Sequence, residues 1–362
     1  MLKKRTYYFS FFILSGLVAC EGTTQKGDES AETTTEIIQP LYVSDPVIHD
    51  TDDPAIWINS SNPDQSLIIG TDKDSIGALY VFDLRGKVID SLVRRGIQRP
   101  NNVDVGYGLP LGRDTVDFAI TGERLTSRIR FYSLPDMQEI NPGGLEVYAG
   151  ETGEEYRDLM GIAVYQSPKS GKTYIIAGRK NGPTDGTYLW QYEVQGAEGE
   201  VSLELVRKFG NFSGKKEIEA IAVDQELGYI YYSDEGAGVR KYHAEPQMGN
   251  EELALFATEG FTDDHEGISI YKSSATEGYL LVSDQGANLF HAFPREGSDK
   301  GPHDHPLLVK IPLSTLSSDG NEVTAVNLGG DFSKGLFVAM SDDKTFQIYS
   351  WEQLEKFINQ QQ

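Results

Sequence analysis

The chain has 362 residues, 55 acidic side chains against 32 basic ones, and a formal net charge of −23. Such an acidic surface disfavours nucleic-acid binding, which needs a distinct basic face, and suits a protein that collects divalent cations. The single cysteine excludes an internal disulfide framework.

At the N-terminus Lys3-Lys4-Arg5 precede an apolar run from Tyr7 to Ala19, the pattern of a signal peptide over residues 1–19. The run is shorter than the roughly 20 residues a spanning helix needs. It closes on Leu17-Val18-Ala19-Cys20, which resembles the lipobox of bacterial lipoproteins and makes Cys20 the expected lipidation site. Residues 20–40 then read as the lipidated cysteine and a flexible polar tether rich in Thr, Glu and Gly. The expected product is an exported lipoprotein anchored at the outer membrane, facing the periplasm or the cell surface. Its contact with membrane is through the lipid alone. Losing Lys3, Lys4 and Arg5 takes the charge from −23 to −26, and lipidation of Cys20 leaves the folded body without a cysteine nucleophile.

From residue 41 to residue 362 a single motif recurs with a period of roughly fifty residues. A head residue, polar or acidic in five of the six units, enters a short apolar strand, and a second strand ends in a charged or amide residue. The residues before the first strand of each unit are Asp53, Asn102, Met160, Glu219, Glu266 and Glu322. The second strands end in Thr71-Asp72-Lys73, Gly122-Glu123-Arg124, Gly178-Arg179-Lys180, Ser233-Asp234-Glu235, Ser283-Asp284-Gln285 and Ser341-Asp342-Asp343. Short alternating strands with Gly/Asn/Asp turns and little helical patterning predict an all-β fold, a six-bladed β-propeller of four-stranded sheets. No linker interrupts it, so the body reads as one domain.

Equivalent positions of successive blades lie on a ring about the channel axis. Asp53, Glu219, Glu266 and Glu322 are therefore expected at one mouth. Like charges some 6 Å apart repel by roughly 3 kcal/mol at an effective dielectric near 20, so such a ring calls for protons or cations. Oxygen ligands without His or Cys indicate a hard ion, and calcium accepts them in flexible geometry. The strand-end series is sorted by sign. Lys73, Arg124 and Lys180 belong to blades one to three; Glu235, Asp284 with Gln285, and Asp342 with Asp343 belong to blades four to six. With calcium in the acidic half, the mouth becomes a positive pocket for a polyanion, Arg124 offering bidentate contact and the lysines point charges. The plainer readings are solvated turn charges, a capped turn at Asp52-Asp53, and calcium that only pins blades together.

The runs Asp52-Asp53-Pro54-Ala55-Ile56-Trp57, Gly70-Thr71-Asp72-Lys73, Asn101-Asn102-Val103-Asp104, Ala244-Glu245-Pro246, Glu266-Gly267 and Ser283-Asp284-Gln285-Gly286 resemble those of the β-propeller phytases, from about residue 45 to Trp351. The resemblance implies a calcium-dependent phosphomonoester hydrolase that removes phosphate from myo-inositol hexakisphosphate (phytate) by attack of a calcium-activated water, with no covalent intermediate. By matching motif, Asp53, Glu219, Glu235, Glu266, Gln285 and Glu322 would hold several Ca²⁺ ions, with Asp52 and Asp264 as further ligands. Lys73, Arg124 and Lys180 would grip phosphate, and Glu219 and Glu235 belong to the catalytic set. The implied partner is an inositol polyphosphate, with no nucleic acid, and the expected state is a monomer. Departures from the family pattern are Asp74 for a second lysine, Met160 for a tyrosine, Ile218-Glu219-Ala220 for Thr-Glu-Gly, Glu322 for an aspartate and Thr345 for an asparagine.

The chain lacks the Arg-His-Gly motif of histidine phosphatases, a Gly-x-Ser-x-Gly elbow and a His-Glu-x-x-His zinc motif. His303-Asp304-His305 reads as a solvated loop. Two rival functions stay open: a calcium-dependent propeller hydrolase of a lactone or phosphodiester, and a non-enzymatic lipid-anchored propeller that binds phosphorylated ligands or a protein. The cationic triad opposes a neutral lactone, while Asp74 and Met160 favour mere binding.

Overall fold

The structure is a computed structural model that describes residues 36–361. The expected signal peptide, the expected lipidation site Cys20 and the segment read as tether as far as residue 35 lie outside the described residues. Among the described residues, twenty-four strands form six four-stranded antiparallel sheets. A short strand β1 (Tyr42–Val43) precedes the first repeat. Blade one comprises β2 (Thr51–Trp57), β3 (Leu67–Asp72), β4 (Gly77–Phe82) and β5 (Arg94–Ile97). Blade two comprises β6 (Pro100–Leu111), β7 (Asp114–Glu123), β8 (Arg128–Leu134) and β9 (Glu139–Glu146). Blade three comprises β10 (Leu159–Gln166), β11 (Thr173–Arg179), β12 (Leu189–Ala197) and β13 (Glu200–Phe209). Blade four comprises β14 (Ile221–Asp224), β15 (Tyr229–Asp234), β16 (Gly238–His243) and β17 (Ala254–Phe256). Blade five comprises β18 (His265–Lys272), β19 (Gly278–Asp284), β20 (Leu289–Pro294) and β21 (Val309–Pro312). Blade six contains β22 (Asn321–Thr324), β23 (Leu336–Ser341) and β24 (Thr345–Ser350), and takes β1 as its outermost strand.

That last pairing, Tyr42 opposite Ile348 and Val43 opposite Gln347, closes the ring by clasping the start of the body to its end. Residues read as tether contribute as well: Ile38 donates its N–H to Pro312 O at 3.0 Å, and Gln353 Nε2 reaches Gln39 O at 3.2 Å.

The middle strands are less alternating than a half-exposed sheet would be, because each sheet is covered on both faces by its neighbours. β3, β4, β23 and β24 are buried over all their residues. Ile68 packs toward blade six and Ile69, pointing the other way, toward blade two. Six apolar clusters fill the six gaps between neighbouring blades. The innermost strand of each blade is its first, and these strands enclose an axial cavity of about 550 Å³.

A helix α1 (Trp351–Gln361) follows β24. Gln353 accepts the backbone N–H of Ser350 at 3.0 Å, half of a capping box that starts the helix. Trp351, Leu354 and Ile358 form one buried stripe that packs on blades five and six, with the Trp351 ring stacked on Tyr271 at 3.5 Å between centroids. Trp351→Ala is expected to lower the unfolding free energy by about 3–5 kcal/mol, measured by urea denaturation. The specific activity of the folded fraction should not change, since α1 continues from the end of β24 opposite the charged strand ends.

The reading of His303-Asp304-His305 as solvated is corrected by the structure. His305 is buried, its Nδ1 2.7 Å from Pro294 O and its Nε2 3.1 Å from Lys241 Nζ. The loop folds inward because Lys241, fully buried on a middle strand, needs polar partners there.

Candidate active site at the channel mouth

A β-bulge stands at the entrance of the innermost strand in four blades. In β2 the register runs from Thr51 opposite Asp72 directly to Pro54 opposite Gly70, so Asp52 and Asp53 share one step. The same step is taken by Asn101-Asn102 in β6, Met160-Gly161 in β10 and Glu266-Gly267 in β18. Blades four and six make the matching backbone bond, Ser233 N–H to Ala220 O and Met340 N–H to Gly320 O, which sets Glu219-Ala220 and Asp319-Gly320 in equivalent places. The mouth row is therefore Asp52, Asn101, Met160, Glu219, Glu266 and Asp319.

Two sequence-based ligands are displaced by this register. Asp53, one residue past Asp52, faces the axial cavity and accepts the Val103 N–H at 3.1 Å. Glu322, three residues past Asp319, lines the same cavity and accepts the Val323 N–H. Burial pushes Asp53 well above the usual carboxylate range and Glu322 up to about 8, with Asp104 adding to both. Asp319 falls outside the strand-entry series expected from the sequence, although Asp319-Gly320 repeats the form of Glu266-Gly267. The small residue is a packing demand. A Cβ on Gly267 would lie 2.7 Å from Asp319 O, and one on Gly320 would lie 2.5 Å from Asp52 O, both in the next blade.

A second row lies two residues ahead of the first: Asp50, Arg99, Asp158, Glu217 and Asp264. The strand-end residues Lys73, Arg124, Lys180 and Glu235 bond through their backbone N–H to the carbonyls of Asp50, Arg99, Asp158 and Glu217. Of this row the sequence pattern singles out only Asp264. The readable signal was a carboxylate-x-carboxylate step, found in Asp50-Thr51-Asp52, Glu217-Ile218-Glu219 and Asp264-His265-Glu266.

The strand-end triplets have a mechanical explanation. In Ser233-Asp234-Glu235 the hydroxyl donates to Glu266 O in the next blade at 2.6 Å, and the buried aspartate accepts the N–H and hydroxyl of Ser213 in its own blade's entry loop. Only the third residue is left for the mouth. Thr71-Asp72-Lys73 and Ser283-Asp284-Gln285 follow the same rule, Asp72 holding the N–H groups of His49 and Asp50, and Asp284 that of Thr262. Ser341-Asp342-Asp343 is shifted by one. Ser341 Oγ takes the loop N–H of Leu316, Asp342 stands at the rim, and Asp343 turns aside to Thr345. Asp74 is spent on its own turn, accepting the Ile76 N–H at 3.1 Å.

The rows converge. Ligand atoms of Asp52, Glu219 and Asp319 lie within 4.8 Å of one another, as do those of Glu217, Glu219 and Glu235, and those of Glu235, Asp264 and Glu266. Asp52 and Glu219 come from blades three places apart in the ring of six, so they meet across the axis. Burial pushes Glu219 up to about 7 and Glu235 up to about 9, with neighbouring carboxylates adding to each rise. Asp52 and Glu266 are driven well above the usual range, again chiefly by burial. Buried oxygens of Glu217, Glu235 and Glu266 have no hydrogen-bond partner among the described residues. Such orphaned acceptors on an oxygen-only donor set fit a hard cation. Gln285 donates to Asp319 Oδ1 and so orients that ligand.

The cations lie at the same mouth. Lys73 Nζ is 3.2 Å from Asp52 and 3.1 Å from Asp319; burial disfavours its charge, but these carboxylates and Glu219 hold it protonated. Arg124 stands 3.9 Å from Asp158 and 4.0 Å from Glu217, and Lys180 3.6 Å from Glu155 and 3.9 Å from Glu217. Neither Arg124 nor Lys180 donates a side-chain hydrogen bond among the described residues. Lys216, unread in the sequence, pairs with Asp264 and lies 3.4 Å from Asp263. Met160 is buried in the mouth row, where it offers no ligand.

The "3-phytase" of Bacillus subtilis (strain 168) is 29% identical over 337 residues, covering 85% of this chain and 81% of that protein. A solved Dos1 propeller overlaps 83% of this chain and 67% of its own at 11% identity and a TM-score of 0.41, a likeness too loose to bear on function. The family model described as Phytase matches residues 14–362, and with blades, bulges and mouth residues in one continuous body the chain belongs to the phytase family.

Proposed function

We propose that this phytase-family hydrolase releases phosphate from phytate and uses several Ca²⁺ ions held at the channel mouth. One observation carries the reading: among the described residues, buried carboxylate oxygens without partners stand beside a guanidinium and an ammonium that donate no hydrogen bonds. Asp52, Glu217, Glu219, Glu235, Asp264, Glu266 and Asp319 would hold the ions. Calcium there would supply charge neutralisation and activation of the attacking water.

The chain's own residues do the rest. Arg124 offers a planar fork to two oxygens of the reacting phosphate, and Lys180 adds a point charge beside it. Lys73 keeps Asp52 and Asp319 together, donating to Asp319 and pairing with Asp52, and retains N–H donors for a phosphate oxygen. These cations stabilise negative charge where it grows in the transition state. The chain as a whole carries a net charge of −23, so this cationic arc is where a polyphosphorylated ring would be drawn. A monomer carried on a lipid at Cys20 would act at the outer membrane, on the periplasmic or the external side.

Protein lacking the first twenty residues should release phosphate from phytate in calcium and leave a simple lactone and a phosphodiester untouched. Turnover of the lactone or diester alone would replace this reading with a different propeller hydrolase. Tight binding of phytate without any release would make the protein a receptor.

A further inference from the structure

Glu217 faces two ways. Its Oε2 is 4.0 Å from Arg124 Nη2 and 3.9 Å from Lys180 Nζ, two cations whose side chains donate no hydrogen bond among the described residues. That oxygen is itself buried and has no hydrogen-bond partner among the described residues. A carboxylate so placed stands where an anionic oxygen of a ligand would stand. The same side chain also offers a ligand atom within 4.8 Å of those of Glu219 and Glu235. Glu235 is almost wholly buried and keeps an orphaned oxygen of its own.

We infer that Glu217 is a switch residue which fills the anion slot of Arg124 and Lys180 when the mouth holds no cation, and vacates it by turning to share a cation with Glu219 and Glu235. The inference rests on the phosphate-binding reading above and adds an order to it: cation first, polyanion second. The movement needed is small, since Glu217 already borders both partners. Its physical basis is competition for one negative charge. With the cation absent, Arg124 and Lys180 are the nearest positive groups to Glu217; with a divalent ion beside Glu219 and Glu235, the stronger field lies on the other side. Cation and polyanion then promote one another's binding by the same factor, as linkage requires.

The full chain, stripped with EGTA, is titrated calorimetrically with myo-inositol hexasulfate, a polyanionic ring without a phosphate ester, and again at saturating calcium. In the unaltered protein calcium should tighten the hexasulfate Kd by a hundredfold or more, on the order of 3 kcal/mol of coupling. Glu217→Gln should tighten the calcium-free Kd by at least about tenfold and shrink the calcium effect by the same factor. Glu154→Gln removes one charge from the exposed neighbouring loop and should change the calcium-free Kd less than twofold. A Glu217→Gln protein whose calcium-free Kd stays within twofold of the parent overturns the switch, as does an equal gain from Glu154→Gln. Failure of the unaltered protein to release phosphate from phytate, with the coupling intact, would instead sink the phytase reading and leave the switch standing.

Discussion

Removal of calcium with EGTA is expected to abolish phosphate release and to make the protein lose stability as pH rises. The second effect follows from the mouth carboxylates. Glu219 and Glu235 are raised to about 7 and about 9 from an ordinary 4.5, burial being the main cause. The cation-free folded state therefore keeps protons that the unfolded chain has already shed. Stability contributed by those protons is complete below pH 4.5 and is lost as pH climbs through 7 and 9. The slope is about 1.4 kcal/mol per pH unit for each proton retained. Lys73 stays charged across that window because Asp52, Asp319 and Glu219 hold its proton. Calcium replaces the protons as the neutralising charge, so the loaded protein should show no such decline, and its calcium affinity should rise with pH through the same window. Thermal unfolding from pH 5 to 9, in EGTA and in calcium, reads this directly. Superimposable curves under the two conditions would end the cation assignment.

Arg124→Ala and Glu219→Gln should fail in opposite ways. Loss of the Arg124 fork removes a charge-assisted contact worth about 1.5–3 kcal/mol, a fall of about ten- to a hundredfold in phytate turnover. Its ion pairs to Asp158 and Glu217 are long, 3.9 and 4.0 Å, so stability should change far less than turnover, and calcium should bind more tightly because one competitor for Glu217 is gone. Glu219 belongs to two of the three carboxylate groups. Glu219→Gln should weaken calcium binding at least about tenfold. In EGTA the same variant should be more stable than its parent, because it removes a buried acid from among others of like charge. Phosphate release, calcium titration and urea denaturation on both proteins separate these outcomes. If Arg124→Ala lost stability and kept its turnover, the phosphate-gripping role would be wrong.

Much of the architecture is legible in one dimension. A repeat of roughly fifty residues with two strand signals per unit is enough to count six blades, and strand-end positions can be read from their turns, which is why Lys73, Arg124, Lys180, Glu235 and Gln285 all reach the mouth. Spacing alone also points to the separation of charge between the two halves of the ring. Bulges are what it cannot show. A bulge sets two residues against one partner, and whether Asp52 or Asp53 faces the mouth depends on Thr51 pairing with Asp72 and Pro54 with Gly70, bonds to another strand that leave no periodic trace. That single ambiguity moved Asp53 and Glu322 into the channel and hid Asp319.

Amino-acid order thus determined the number of blades, the ladder of strand ends and the sign of each charged side chain, because those are local properties of turns and alternation. Tertiary structure decided which carboxylates touch. Asp52 meets Glu219 from across the ring, and Glu217 lies between cation sites and cationic side chains, since only closure of the ring by β1 on β24 brings the blade mouths within a few ångströms of one axis.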